Sequence, residues 1–352
     1  MNPIEILLEK TIRSKAFITA ITGTFFLSAC IAYYYTFFQL HSAYHLFEYL
    51  HFIFSTLLIL LLTYWFLQKK KAFTKDAITT QKLKRQQDKN MRELEMARLI
   101  QQSLLGDHTY ITKEIKIIAH CRPAEKIGGD FYSFNEHTVY NTLSKTNHQK
   151  GIIKLQNQAD RQLGICIGDV AGHGIASALI MLLAKSLLDQ LMNKFSSPAK
   201  IFHLANRQIK VHTEKSDISF VTAAILLINL DNKTLNFSKA GHTDSILLRQ
   251  DGTLSLLTAE GVFLGMFDNV EFEEVQIQLQ PKDKIILYTD GIIETRNSQG
   301  ELFGLKRLTN LLEANYQLSL EKIVPLIYQE LFLFSQKQEV YDDSTVVLVE
   351  LL

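Results

Sequence analysis

Five aspartates in the last two thirds of the chain stand where apolar runs stop. They are Asp130 in IGGDFYSF, Asp169 in ICIGDVAGHG, Asp290 in IILYTDGIIE, and Asp342 with Asp343 in YDDSTVVLVEL. Runs rich in Ile, Leu and Val that end at Gly-Asp or Asp-Gly read as strands that carry a carboxylate to the end of a sheet. Aspartate is also an ordinary turn residue, so one such site alone argues little. Together they form a set of hard oxygen donors, scattered in sequence, of the kind that suits Mg²⁺ or Mn²⁺. Two such ions held about 4 Å apart by shared carboxylates can activate water and clamp a phosphate.

Positioning these acids requires sheets whose strand ends meet. From about residue 110 the sequence alternates short apolar strands with amphipathic helices. Strands are expected at Ile115 to His120, Lys126 to Phe134 and Gln162 to Val170, then at Phe220 to Ile228, Thr234 to Ala240 and Ser245 to Arg249. Val270 to Leu279, Lys284 to Thr289 and Ser344 to Leu351 complete the set. Gly174 to Asn193 reads as a helix apolar on most faces and therefore buried. Ser197-Pro198 makes an N-cap and first-turn pair for a helix running to about His212. Two more helices are expected at Gly304 to Asn315 and Ser319 to Gln336. Strand blocks with inserted helix pairs indicate an α+β domain. Asn135 to Arg161 reads as a polar insertion between two strands of a sheet.

These residues carry a resemblance. Pro123-Ala124-Glu125-Lys126-Ile127-Gly128-Gly129-Asp130-Phe131-Tyr132 resembles the first motif of SpoIIE-type serine phosphatases, a branch of the metal-dependent, protein phosphatase 2C-like family. Gly168-Asp169-Val170-Ala171-Gly172-His173-Gly174 resembles the second. Phe220-Val221-Thr222-Ala223, Ala240-Gly241-His242, the Gly261 to Gly265 turn, Tyr288-Thr289-Asp290-Gly291 and Asp342-Asp343-Ser344-Thr345 follow in the family's order. The similarity extends from about Glu95 to Leu352, and Met96 to Leu105 resembles the helix that leads into such a domain.

The resemblance implies a four-layer α-β-β-α sandwich holding two Mn²⁺ or Mg²⁺ ions at one sheet edge. Asp169 would bridge both, the Val170 carbonyl would be a further ligand, Asp290 and Asp342 would hold one ion, and Asp130 would serve the other. Asp343 occupies a position that is often Asn in the family, which favours Asp342 as the ligand. His173 is a candidate general acid, set against a residue that merely opens the following helix; His242 is expected to order a turn. Thr243-Asp244 departs from the family's Asn-Pro after Gly-His. The implied reaction is hydrolysis of phosphoserine or phosphothreonine by metal-activated water, with no phosphoenzyme. The implied substrate is a phosphorylated anti-sigma-factor antagonist of the STAS type. The alternative is a catalytically inactive relative that docks a regulatory partner. A nucleotide-binding loop is disfavoured, because GDVAGHG matches neither GxGxxG nor GxxxxGK[ST].

The N-terminal third differs in kind. Residues 16–38 and 45–67 read as two transmembrane helices, the first without a charged residue and each long enough for about 30 Å of hydrocarbon. Lys10, Arg13 and Lys15 precede the first, and Lys69, Lys70 and Lys71 follow the second, which places both termini and the catalytic domain in the cytoplasm. The expected organisation is a bilayer anchor over 1–71, a helical linker over 72–105 and a phosphatase domain over 106–352, in a multi-pass protein of the cytoplasmic membrane. Leu83, Asn90, Leu94, Ala97, Gln101 and Leu104 form a weak coiled-coil seam through which the linker would pair with a second copy. A net charge of +1 gives no global field for nucleic acid. Cys30, Cys121 and Cys166 form neither a disulfide framework nor a zinc spacing.

Overall fold

The structure is a computed structural model that describes residues 21–34, 36, 42–106, 108–147, 152–172, 174–214, 220–336 and 342–352. The chain divides into two compact units, Met1–Asn90 and Met91–Leu352.

In the first unit, α1 (Ile21–Tyr34) touches the early part of α2 (Ser42–Leu105), with the Phe25 and Phe52 rings 6.3 Å apart. No Gly or Pro interrupts α2, so the second expected span and the linker form one helix rather than two. Phe54, Leu57, Leu60, Leu61, Tyr64 and Trp65 are all exposed. By length and composition this stretch could cross a membrane. Residues 16–20, 35, 37 and 38 of the first expected span lie outside the described residues.

The second unit contains two antiparallel sheets. One has the order β1-β2-β11-β10-β7-β8 and the other β3-β4-β5-β6-β9. The strands of the first are β1 (Thr109–Ile111), β2 (Ile115–Arg122), β7 (Ser245–Leu248), β8 (Leu254–Leu257), β10 (Lys284–Tyr288) and β11 (Ser344–Leu351). Those of the second are β3 (Phe131–Asn147), β4 (Ile152–Val170), β5 (Val221–Asn229), β6 (Thr234–Ala240) and β9 (Val275–Gln278).

Period-two alternation divides the apolar residues of the first sheet between two cores. Ile285, Leu287, Val347 and Val349 point into the core shared with the second sheet. Their neighbours Ile286, Tyr288, Val346 and Leu348 point the other way, against α6 (Gly304–Ala314) and α7 (Leu320–Phe334). The second sheet is buried on both faces, which explains the unbroken apolar run of β5. Its outer face carries α3 (Ile175–Met192) and α4 (Pro198–Thr213), and the Ser197 hydroxyl accepts from the Lys200 N–H at the α4 cap. The result is helices, sheet, sheet and helices in layers. Helix α3 is less enclosed than its composition suggests: Ile175 and Leu179 are exposed while Met181, Ala184 and Leu188 are buried.

One expectation changes. The strand anticipated at Lys126 begins only at Phe131, because residues 123–130 form a loop gripped by side chains from elsewhere. The polar insertion at Asn135 to Arg161 takes the form of a ribbon: β3 and β4 extend into it, paired in register from Phe131↔Gly168 outward to Asn147↔Ile152. The short β1, β8 and α5 (Asp290–Ile293) went unread, being too brief to show a period.

The last turns of α2 belong to the second unit and pack within it on an unexpected face. Met96, Leu99 and Ile100 face outward, whereas Leu105 and Gln101 are buried. Gln101 donates from Nε2 to the Gly128 carbonyl at 2.7 Å and accepts from the Gly128 N–H at 3.2 Å. It therefore belongs to the docking face and not to a helix-pairing seam. Gln101→Ala leaves both Gly128 groups unpaired, and a loss of about 1–3 kcal/mol is expected. Denaturant unfolding of the purified chain checks this; an unchanged midpoint would refute the clamp.

Candidate active site

Strand register brings the acids to one place. Asp130 immediately precedes β3, and because Phe131 pairs with Gly168, Asp130 stands opposite Asp169 at the end of β4. In the other sheet Tyr288 pairs with Val346, so Thr289 and Asp290 leave β10 beside Thr345 and Ser344 at the start of β11, next to Asp343. All five aspartates thus occupy the same end of the two-sheet stack.

The Asp130 carboxylate ties the sheets together there. Asp130 Oδ2 accepts from Thr289 Oγ1 at 2.8 Å and from Thr345 Oγ1 at 2.6 Å. The threonines are themselves paired, the Thr345 N–H donating to Thr289 Oγ1 at 2.9 Å. Asp130 is only 2% exposed, and its Oδ1 is buried with no partner. Burial first, then the Asp169 and Asp343 carboxylates, hold its pKa well above the ordinary carboxylate range.

Asp343 does different work. Its Oδ1 accepts from the Ala124 N–H at 2.7 Å, and its Oδ2 from the N–H groups of Gly129 at 2.6 Å and Asp130 at 3.4 Å. Three backbone donors consume this carboxylate and fix the loop that presents Asp130. Asp342 takes a backbone donor from its neighbour, its Oδ1 accepting from the Asp343 N–H at 2.8 Å, and is less committed than Asp343. Gly128 is packed so closely on the Asp343 carboxylate that a Cβ would overlap it. At Gly129 a Cβ would lie 2.8 Å from the Val170 carbonyl oxygen and 3.1 Å from Asp169 Oδ1. The two glycines therefore keep open the space in front of those oxygens.

The acids raise one another. Asp169 is pushed up to about 7 by burial and by Asp290, Asp342 and Asp343. Asp290 is raised by burial and then Glu294, and Asp342 by burial and then Asp290. Among the described residues no three His, Cys, Asp or Glu side chains close on one point tightly enough to enclose an ion. The donor chemistry nevertheless fits a hard divalent cation. The set is all oxygen, Asp130 Oδ1 is an orphaned buried acceptor, and the Val170 carbonyl lies beside Asp169 Oδ1. His173 lies outside the described residues.

His242 is more deeply placed than a turn residue would be. It is 6% exposed and its Nδ1 lies 2.9 Å from Thr222 Oγ1, on the residue paired with Asp169 across β4 and β5. Burial, then Lys239, depress its pKa to about 3, so it stands neutral. The neighbouring Thr243 hydroxyl donates to the Tyr288 carbonyl. Sequence reasoning missed Gln101, Thr222, Thr289 and Thr345, although the last three stand within the motifs already singled out.

A family model described as Stage II sporulation protein E (SpoIIE) matches residues 159–352. The chain is 28% identical over 258 residues to the phosphoserine phosphatase RsbU of Bacillus subtilis (strain 168), covering 73% of this chain and 69% of that protein. It is 27% identical over 205 residues to the phosphoserine phosphatase RsbP of the same organism, covering 58% of this chain but only 45% of RsbP. In three dimensions it is similar to the SiaA-PP2C domain of Pseudomonas aeruginosa, with a TM-score of 0.58 at 19% identity over 75% of this chain and 98% of that one.

Two outcomes follow from the geometry. Asp343→Ala strips three backbone donors of their acceptor and is expected to cost about 1–3 kcal/mol of stability, whereas Asp342→Asn is expected to leave the melting temperature unchanged or raised. Thermal melts of the two variants separate the roles, and equal losses would refute them. The second outcome concerns pH. A carboxyl raised to about 7 contributes stability fully present below its unfolded pKa of about 4 and lost as pH rises through about 7. In chelator the melting temperature should fall between about pH 4 and 7, and Asp169→Asn should flatten that slope. A slope unaffected by the substitution would show that the strain resides elsewhere.

Proposed function

Because the chain belongs to the SpoIIE family, and is a serine/threonine phosphatase of the PP2C type, we propose that it hydrolyses phosphoserine or phosphothreonine on a regulatory protein with two Mn²⁺ or Mg²⁺ ions. The observation that carries this reading is the meeting of Asp130, Asp169, Asp290 and Asp342 at one end of two sheets, where like charge and burial raise every one of their pKa values. Such crowding is unfavourable for the bare carboxylates, and divalent cations relieve it. Asp169 would serve both ions with the Val170 carbonyl as a further ligand, Asp290 and Asp342 would hold one, and the free Oδ1 of Asp130 the other. The ions would supply Lewis acidity and a water of lowered pKa. The chain's own part is placement. Thr289 and Thr345 occupy Asp130 Oδ2 and leave Oδ1 uncommitted. Asp343 fixes the loop that carries Asp130. Neutral His242 holds Thr222 against the strand that ends in Asp169.

The substrate proposed is a phosphorylated STAS-type antagonist of an anti-sigma factor. The likeness to RsbU and RsbP supports this class and names no individual protein. The tether is proposed as a two-helix hairpin over 1–71, with the 72–105 linker and the 106–352 domain on the cytoplasmic side. The exposed aromatic and aliphatic surface of α2 from Phe54 to Trp65 supports it. A homodimer through the end of α2 is supported by the outward-facing Met96, Leu99 and Ile100, a stripe at helical spacing. An inactive docking relative is the weaker reading, because each carboxylate of the site is present.

Purified chain should hydrolyse para-nitrophenyl phosphate with Mn²⁺ or Mg²⁺, lose the activity in excess chelator, and lose at least about 100-fold on Asp169→Asn. Full turnover in chelator would overturn the reading.

A further inference from the structure

We propose that a cavity where α2, β3 and α3 meet binds a small zwitterion of the α-amino acid class. The cavity measures about 280 Å³ and is walled by Leu105 at the end of α2, Tyr110, Ser133 and Phe134, and by Lys185 and Asp189 on α3. Ser133 lies three residues along β3 from Asp130, about 10 Å at the rise of a strand.

The polar groups of this cavity have capacity that the chain leaves unused. Ser133 is 7% exposed and its Oγ has no partner. Asp189 Oδ1 is likewise buried without a partner, while Oδ2 accepts from Lys185 Nζ at 2.9 Å. The Lys185 side chain is 13% exposed, and an ammonium has three donors. A buried hydroxyl and a buried carboxylate oxygen left unpaired, the latter on a side chain 27% exposed, are unfavourable unless something in the cavity meets them.

The charges specify what that is. A cationic amine answers Asp189 Oδ1 and Ser133 Oγ, and a carboxylate answers the remaining Lys185 donors. A ligand with one charge satisfies one side and leaves the other without a partner. A zwitterion with both groups on adjacent atoms satisfies both, because Lys185 and Asp189 stand one helical turn apart. The Tyr110 and Phe134 rings, with centroids 6.0 Å apart and planes inclined at 52°, offer an angled apolar wall to the rest of the molecule. The volume lies near the lower end of small-ligand pockets, roughly 300 Å³, which suits a molecule of amino-acid size.

The position gives binding a consequence. Leu105 and Gln101 lie one turn apart on α2, and Gln101 holds Gly128 of the loop that presents Asp130. A ligand bridging the end of α2 to α3 stiffens that contact. Only this effect on turnover rests on the phosphatase reading; the binding itself does not.

The test uses the full chain in detergent micelles. Each of the common L-α-amino acids is titrated by thermal shift and calorimetry, with methylammonium and acetate as single-charge probes. The expected result is saturable binding of at least one amino acid. Lys185→Met, Asp189→Asn and the space-filling Ser133→Val should each weaken it about tenfold or more, with Mn²⁺-dependent turnover in the absence of ligand kept within about twofold. Should Asp189→Asn fail to fold, Ser133→Val decides. No shift from any amino acid, equal affinity in the variants, or equally tight binding of methylammonium or acetate would overturn the proposal. Binding in a chain that shows no phosphatase activity would uphold it and overturn the catalytic reading instead.

Discussion

A buried carboxylate, that of Asp130, ties the two sheets of the catalytic unit together at their functional end. Asp130 extends from the β3 side and receives the hydroxyls of Thr289 and Thr345, which leave β10 and enter β11 on the other side. A charge-assisted hydrogen bond is stronger than a neutral one, and inside a low-dielectric core it is also more directional in its effect. Everything else at the site is registered to this joint. Asp169 lies across the strand pair from Asp130, and Asp290 follows Thr289 by one residue. Asp342 and Asp343 precede the strand that contains Thr345.

The joint also assigns separate tasks to chemically identical side chains. Asp343 is saturated by backbone N–H groups and acts as a structural acceptor. Asp130 is half saturated, with one oxygen bonded and one without a partner. Asp342 is exposed and only loosely tied. Five aspartates in one small volume therefore do not form a uniform patch. They grade from anchored to available, and the grading is set by how many N–H and O–H donors each one finds. The remaining electrostatic cost is concentrated on Asp130, Asp169, Asp290 and Asp342, where a cation can relieve it.

Much of this was legible before the structure. The alternating strands β2, β10 and β11 and the helices α4, α6 and α7 lie close to where their apolar periods place them. The acids were visible because each stood at the end of an apolar run. What was not legible depends on tertiary partners. Gln101 looks like a polar interruption in a helix seam until Gly128 is seen beside it. Thr289 and Thr345 look like ordinary strand residues until register brings both to Asp130. The segment from Asn135 to Arg161 reads as a polar insertion because it lacks an apolar period, and only the pairing of one polar strand with another makes it a ribbon. Continuity of α2 was hidden by the change from apolar to charged composition, which alters the surroundings of a helix without breaking its hydrogen bonds.

The ribbon formed by β3 and β4 has an arithmetic of its own. Beyond Gln162, where β5 ceases to pair with it, each strand has the other as its partner in the sheet. Lengthening or shortening both arms by the same number of residues preserves every pairing closer to the acids. An unequal change does not: a slip of one residue would turn every side chain of an arm to the opposite face, and at the near end it would exchange Phe131 with Asp130. Descendants of this sequence are thus free to vary in length here only in matched steps, and a ribbon in which the two arms differ by one should be rare unless a bulge absorbs the extra residue.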